Sequence, residues 1–243
     1  MKKSLQVLSL ALVLSTAAVS SMNAMPTSPP HLHVADERQV RNYNGVAVSG
    51  SINAVVTLGS QESVRLEGDA DAIAELITEL KGGILIIRPK TKWNEWGRKF
   101  KSAKITAYIT AKKLSSVTVS GSGRLEVKGN VDTNDLSATV SGSGNISVAA
   151  NTKSFTGVIS GSGNIHASGK SNATTVTIGG SGNFDGKGLT TETLSTQISG
   201  SGSVYITANK SIEAVISGSG TVNYSGNASV EKTVSGSGSV RKS

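Results

Sequence analysis

The sequence predicts an all-β fold: a right-handed parallel β-helix (a β-solenoid) with an N-terminal capping region that contains a short helix. Three observations predict it. A Ser-Gly-Ser-Gly tetrad, or a close variant, opens at residues 120, 141, 160, 179, 199, 217 and 235, with successive differences of 21, 19, 19, 20, 18 and 18. A period that constant marks a stacked repeat, whereas a flexible linker has neither the period nor hydrophobic flanks. The flanks themselves alternate apolar and polar, the signature of strands with one buried face. Finally, a unit of about 19 residues has no room for a helical crossover, so each strand must pair with its counterpart one repeat along.

The chain opens Met1-Lys2-Lys3, then an apolar run to Val19, then small residues. That order predicts a signal peptide over residues 1–24, cut between 20 and 24. Residues 25–40, which include a Pro-rich stretch, are expected to be a flexible mature N-terminus. No later stretch approaches 18 apolar residues, so no transmembrane helix is expected after signal cleavage. The chain has no Cys, which removes disulfides, thiolate catalysis and Cys-ligated metal together.

Residues 41–115 are assigned to N-terminal strands, a short helix and the cap of the solenoid. "NGVAVSGSINAVVTLG" (Asn44 to Gly59) and "SVRLEGD" (Ser63 to Asp69) are strand-like. Val48-Ser49-Gly50-Ser51-Ile52 echoes the later tetrads, so the stack is expected to begin here. "DADAIAELITEL", from Asp69 to Leu80, has an N-cap residue, early acids and Ile73, Leu76, Ile77 and Leu80 at helical spacing, and predicts an amphipathic helix ending at Gly82-Gly83. "GILIIRP" and "AKITAYIT" predict two more strands. A cap over the first coil hides an otherwise open strand edge.

Residues 116–243 are the solenoid proper. Five, three and one residues before the tetrads stand inward positions such as Leu136, Ala138 and Val140, or Phe155, Gly157 and Ile159. Two residues after each tetrad stands another: Ile146, Ile165, Phe184, Val204, Val222 or Val240. Each tetrad is a corner where the chain leaves one strand for the next. Glycine suits such a corner because it accepts positive φ and close backbone approach. Serine hydroxyls are expected to bond backbone or one another along the stack. At about 4.8 Å per coil, seven corners span roughly 29 Å.

These motifs resemble the autotransporter adhesin head domain family, the GIN domain. The residues that carry the resemblance are the "GVAVSGSIN" segment, "LSSVTVSGSG" and the reiterated "SGSGNI", which contains Gly144-Asn145-Ile146 and Gly163-Asn164-Ile165. The resemblance covers about residues 41–240 and implies a right-handed parallel β-helix with an adhesin-like role. It supplies no catalytic residues. No membrane barrel follows the repeats up to Ser243, a departure from the autotransporter pattern.

Little in the sequence suggests catalysis. Glycosidases and lyases need carboxylates, or basic groups, converging on one groove. Glu126 and Asp185 occupy equivalent positions but lie three coils apart, about 14 Å. His31 and His33 fall in the N-terminal segment, and His166 stands alone on its coil. No nucleophile elbow is present. The Gly-rich tetrads lack the helix and Lys of a phosphate loop. The run Gly179 to Asp185 resembles a calcium-binding nonapeptide only once, without iteration. No cofactor and no metal are expected.

The concentrated feature is basic. The formal charge is +8, and residues 88–113 hold Arg88, Lys90, Lys92, Arg98, Lys99, Lys101, Lys104, Lys112 and Lys113 around Trp93, Trp96 and Phe100. One reading is a connecting loop whose rings pack over the solenoid end and whose charges solvate it. The other is a contact with an anionic envelope polymer, a glycan or lipid head groups, made by Lys90, Lys92, Trp93, Trp96, Arg98, Lys99, Phe100 and Lys101. Nucleic acid suits the charge but not the export signal. The expectation is therefore a non-enzymatic, exported envelope or surface protein, a monomer, in the periplasm, on the outer-membrane surface or secreted. The alternative is a carbohydrate-active enzyme on a β-helix, either a polysaccharide lyase or a hydrolase.

Overall fold

The computed structural model describes residues 33–91, 93–100 and 103–243. The expected signal peptide lies outside the described residues. The chain enters through β1 (His33–Arg38), β2 (Gly45–Gly50), β3 (Asn53–Leu58) and β4 (Ser63–Asp69). A short helix, α1 (Ala70–Ala74), leads to β5 (Leu76–Lys81) and β6 (Ile84–Pro89). A second helix, α2 (Trp93–Lys99), precedes β7 (Ile105–Ala111) and β8 (Ser116–Gly121). Five long strands follow: β9 (Arg124–Gly142), β10 (Asn145–Gly161), β11 (Asn164–Gly180), β12 (Asn183–Gly200) and β13 (Ser203–Gly218). The chain closes with β14 (Thr221–Ser225), β15 (Ser229–Ser235) and β16 (Ser239–Lys242).

The fold is a β-solenoid. Each coil from β9 onward pairs in parallel with the next, in near-continuous register, so Asn145 meets Asn164 and Gly161 meets Gly180. The strands continue through the variable returns and break at the tetrads. There the first glycine has positive φ, for example 115° at Gly142. A Cβ on Gly142 would stand 2.7 Å from the Gly121 carbonyl oxygen, which is closer than real Cβ contacts allow. The corner thus needs glycine twice over, for its φ and for its contact with the coil beneath. Gly50 has φ 91° and lies in register under Gly121, so the stack does begin in the N-terminal segment.

Alternation builds the core. Leu136, Val140, Phe155, Ile159, Ile178 and Ile198 are buried, as are Ile146, Ile165, Phe184, Val204 and Val222 after the corners. Phe155 and Phe184 meet edge to face with ring centroids 5.9 Å apart. Gly157 explains how: a Cβ there would lie 3.0 Å from the Phe184 ring, so the inward glycine makes room for the larger side chain. The inward Thr174 is satisfied by a 3.0 Å hydrogen bond to the Thr191 hydroxyl. At the tetrads, the side-chain ladder along the stack is made by asparagine: Asn164 donates to Asn145 at 2.9 Å, and Asn183 donates to Asn164 at 3.0 Å.

The N-terminal part departs from simple order. The coil formed by β2 and β3 carries β8 and the start of β9 on one side. On the other side it carries β6 and β7, which come later in the chain. Beyond them the pairing turns antiparallel, with β5 on β6, β4 on β7, and β1 on β4. Antiparallel strands at this end replace the next parallel coil. Residues 33–38, expected within a flexible N-terminus, are thus a paired strand.

The predicted helix from Asp69 to Leu80 is shorter than its spacing suggests. Asp69 does cap it, its carboxylate accepting the Ala72 N–H at 2.9 Å. Helix ends at Ala74, and Leu76–Lys81 is strand. The reason lies in Gly82-Gly83, which sit at φ 57° and 77°. Two consecutive positive-φ residues form the tight hairpin turn that matches strand twist, so they fold β5 back on β6.

Candidate functional site

The basic aromatic segment is anchored from below. Trp96 is only 2% exposed and belongs to the core. Phe100, four residues on, is half-buried beside it, with ring centroids 5.6 Å apart. Residues four apart share one helix face, so this face of α2 packs inward while Arg98 and Lys99 face solvent. Trp96 therefore departs from the expectation of a contacting ring: in this fold it holds the segment down. Lys99 lies 5.0 Å above the Phe100 ring and 4.0 Å from the Glu75 carboxylate.

Lys90 has a structural use. Its Nζ donates to the Ala74 carbonyl at 2.6 Å, at the C-terminal end of α1, where a cation is favoured. Arg88 pairs with Glu79 at 2.8 Å across the β5–β6 hairpin. Lys92 and Lys101 lie outside the described residues, and Trp93 is described only as the first residue of α2.

A second feature was not legible in the sequence. A cleft of about 370 Å³ opens on the outward face of β4, β7 and β3, under the strap of residues 37–41. Arg65 and Tyr108 stand in register across β4 and β7, the guanidinium 5.0 Å from the ring centroid. Arg65 also pairs with Glu67. The cleft floor carries hydroxyls: Ser63 donates to the Thr110 hydroxyl at 3.1 Å, and Thr57 lies alongside. A neighbouring depression of about 400 Å³ shares Arg41 and Glu62 and adds Lys112.

The strap is fixed from two sides. Asn42, at φ 63°, gives its backbone N–H to the Glu62 carboxylate at 2.8 Å. Tyr43 is buried, and its hydroxyl lies 2.7 Å from the Thr110 carbonyl and 3.1 Å from that of Ser63. Burial, followed by the nearby Glu62 charge, pushes its phenol up to about 12. Arg41 and Lys112 are exposed and make no hydrogen bond or ion pair with another described residue.

His166 finds its partner on a neighbouring coil. Its Nδ1 lies 3.2 Å from the Asp185 carboxylate on the next coil, and Ser147 stands in register on the coil before. Ser147 makes no hydrogen bond to the imidazole, and both partners of the His–Asp pair are substantially exposed. Ser147, His166 and Asp185 thus form a polar row across three coils. Glu126 and Asp185 share this row three coils apart, through Ser147 and His166. Among the described residues, no three His, Asp or Glu side chains cluster as metal ligands.

The family described as "Putative auto-transporter adhesin, head GIN domain" matches residues 42–228. The chain belongs to this family. The GIN-domain assignment agrees with solved structures of the same fold. A "putative adhesin" from Bacteroides fragilis is similar with a TM-score of 0.77 at 20% identity, covering 88% of this chain and 99% of that one. A "Putative lipid binding protein" from Parabacteroides distasonis has a TM-score of 0.68 at 21% identity, covering 87% and 96%. A "putative adhesin" from the same species has a TM-score of 0.67 at 21% identity, covering 88% and 98%. No curated protein matches the GIN-domain chain in sequence.

Proposed function

We propose that this GIN-domain chain is a non-enzymatic, exported protein of the cell envelope or surface, adhesin-like in presenting a rigid face to a partner. The partner is an anionic envelope polymer, a glycan or lipid head groups. The observation that carries the reading is the arrangement on α2. A buried Trp96 fixes a short helix whose exposed side offers Arg98 and Lys99. Cations held on a rigid support attract anions at little ordering cost. The adhesin names of the family and its structural relatives support the surface role, and the relative named for lipid binding supports a head-group partner. Fold alone would not carry the function.

Sedimentation with vesicles tests the contact. Binding to phosphatidylglycerol vesicles, weakened by high salt and absent with phosphatidylcholine, is the expected result. Charge-neutral Arg98→Gln and Lys99→Gln substitutions together should reduce it. Equal, negligible binding to both vesicles and to soluble polyanions would overturn the reading.

A further inference from the structure

We infer that the cleft on β3, β4 and β7 binds an acidic saccharide unit, a sugar ring bearing a carboxylate. The inference deepens the proposed envelope contact and rests on that reading, but it uses different residues from α2.

Size comes first. About 370 Å³, with an adjoining depression of about 400 Å³, suits one to two sugar rings. Charge comes next. Arg38 is paired with Asp36 at 2.7 Å, and Arg65 with Glu67. Two acids share the lining: Glu37 in the cleft, and Glu62 in both depressions, where its carboxylate accepts the Asn42 N–H and keeps its charge. Arg41, which lines both depressions, and Lys112, which lines the second, make no ion pair with another described residue. They are the groups placed to take a carboxylate.

The lining then selects the rest of the ligand. Thr57, Ser63 and Thr110 set hydroxyls across the floor. Ser63 spends its proton on Thr110, which leaves the Thr110 hydroxyl able to donate into the cleft. Tyr108, 37% exposed and stacked with Arg65, forms an aromatic wall of the kind that packs against a sugar ring. A lipid chain would need a broad apolar surface; Val64 and Ile109 are buried, which leaves Val40 and Val55 among the polar groups of the strap and floor, and the second depression presents Gln61. The pinned strap means the cleft exists before the ligand arrives, which lowers the ordering cost of binding.

The test is calorimetric titration of the purified protein with trigalacturonate and with its methyl ester, which keeps the shape and removes the charge. Wild type should bind the acid at least tenfold more tightly than the ester. Arg41→Gln with Lys112→Gln should abolish that preference, and Tyr108→Ser should weaken both ligands. Lys170→Gln, at an exposed position of β11 outside both sites, should leave trigalacturonate binding unchanged. Folding of each variant is checked by its far-ultraviolet circular dichroism and melting curve. A wild type that binds neither sugar, or binds both equally, would overturn the inference while leaving vesicle binding through α2 to stand or fall alone. Trigalacturonate binding lost with the Arg98/Lys99 variant and kept in the Arg41/Lys112 variant would move the site to α2 and equally overturn it.

Discussion

Gly121 lies in register on Gly50, and a Cβ built on it would stand 2.6 Å from the Gly50 carbonyl oxygen. That same oxygen accepts the N–H groups of Ser122 and Gly123 at 2.9 and 3.0 Å. The corner is therefore a contact between coils as well as a turn within one.

Valine at Gly142, Gly161 or Gly200 should each destabilise the protein by at least ~1 kcal/mol, through an unfavourable φ and a clash with the coil beneath. Gly179 provides the control. It stands where other corners carry Ser, its φ is not in the positive region, and a Cβ there meets only the Ile159 carbonyl oxygen at 4.0 Å. Gly179→Ser should change stability by less than about 0.5 kcal/mol. Thermal unfolding of the four variants checks both, and equal melting of all four with wild type would show the corners to be mere spacers.

Trp96→Ala should cost about 3–5 kcal/mol, because it empties a buried ring site under α2. Arg98→Gln with Lys99→Gln should leave stability within about 0.5 kcal/mol, since exposed ion pairs contribute little. Chemical denaturation separates the two. A mild Trp96→Ala would mean that α2 is not anchored by that ring.

Tyr43 makes a prediction at high pH. The folded state holds its phenolic proton more tightly than the unfolded chain, whose tyrosine titrates near 10. The stability this contributes is fully present below pH 10 and is lost as pH rises through about 12. Tyr43→Phe should cost about 1 kcal/mol near neutrality through its lost hydrogen bonds. It should also flatten the loss of stability between pH 10 and 12, as followed by unfolding at stepped pH. An unchanged alkaline slope would count against the buried phenol as its source.

The last coil concerns assembly. Val230 and Val234 lie in register with the buried Ile212 and Ile216, yet are 37% and 36% exposed, because no further strand covers them among the described residues. Lys232 stands between them, in register with the buried Ala214. Pairing β15 with its copy about the strand midpoint would set Lys232 against Lys232, which opposes association. The protein should be a monomer. Replacing Lys232, Arg241 and Lys242 by Val, Ser and Thr should produce dimers or longer chains in light scattering. A wild-type dimer would show that the cations do not block this edge.

The repeats were legible because a solenoid turns a constant sequence offset into a constant contact. Ile159 meets Ile178 and Ile178 meets Ile198 for the same reason that their tetrads recur. Where the offset breaks, legibility ends. Leu76 and Ile77 fit a helical period and a strand equally, and the hairpin at Gly82-Gly83 decided for strand. Nothing in chain order signals that β6 and β7 pair outside β2 and β3. The cleft was hidden for the same reason: Arg41, Arg65 and the stretch from Tyr108 to Lys112 are separate in the chain, and only the antiparallel end brings them together. The basic segment was legible as composition, but the burial of Trp96 depended on what lay beneath it.

Export to the envelope or surface is the central claim, and fractionation of the producing cells tests it most directly. Cytosol, periplasm, membranes and medium are separated, and the protein's intact mass is measured in each. The account predicts protein outside the cytosol, with a mass matching cleavage between residues 20 and 24. Full-length protein confined to the cytosol would contradict it.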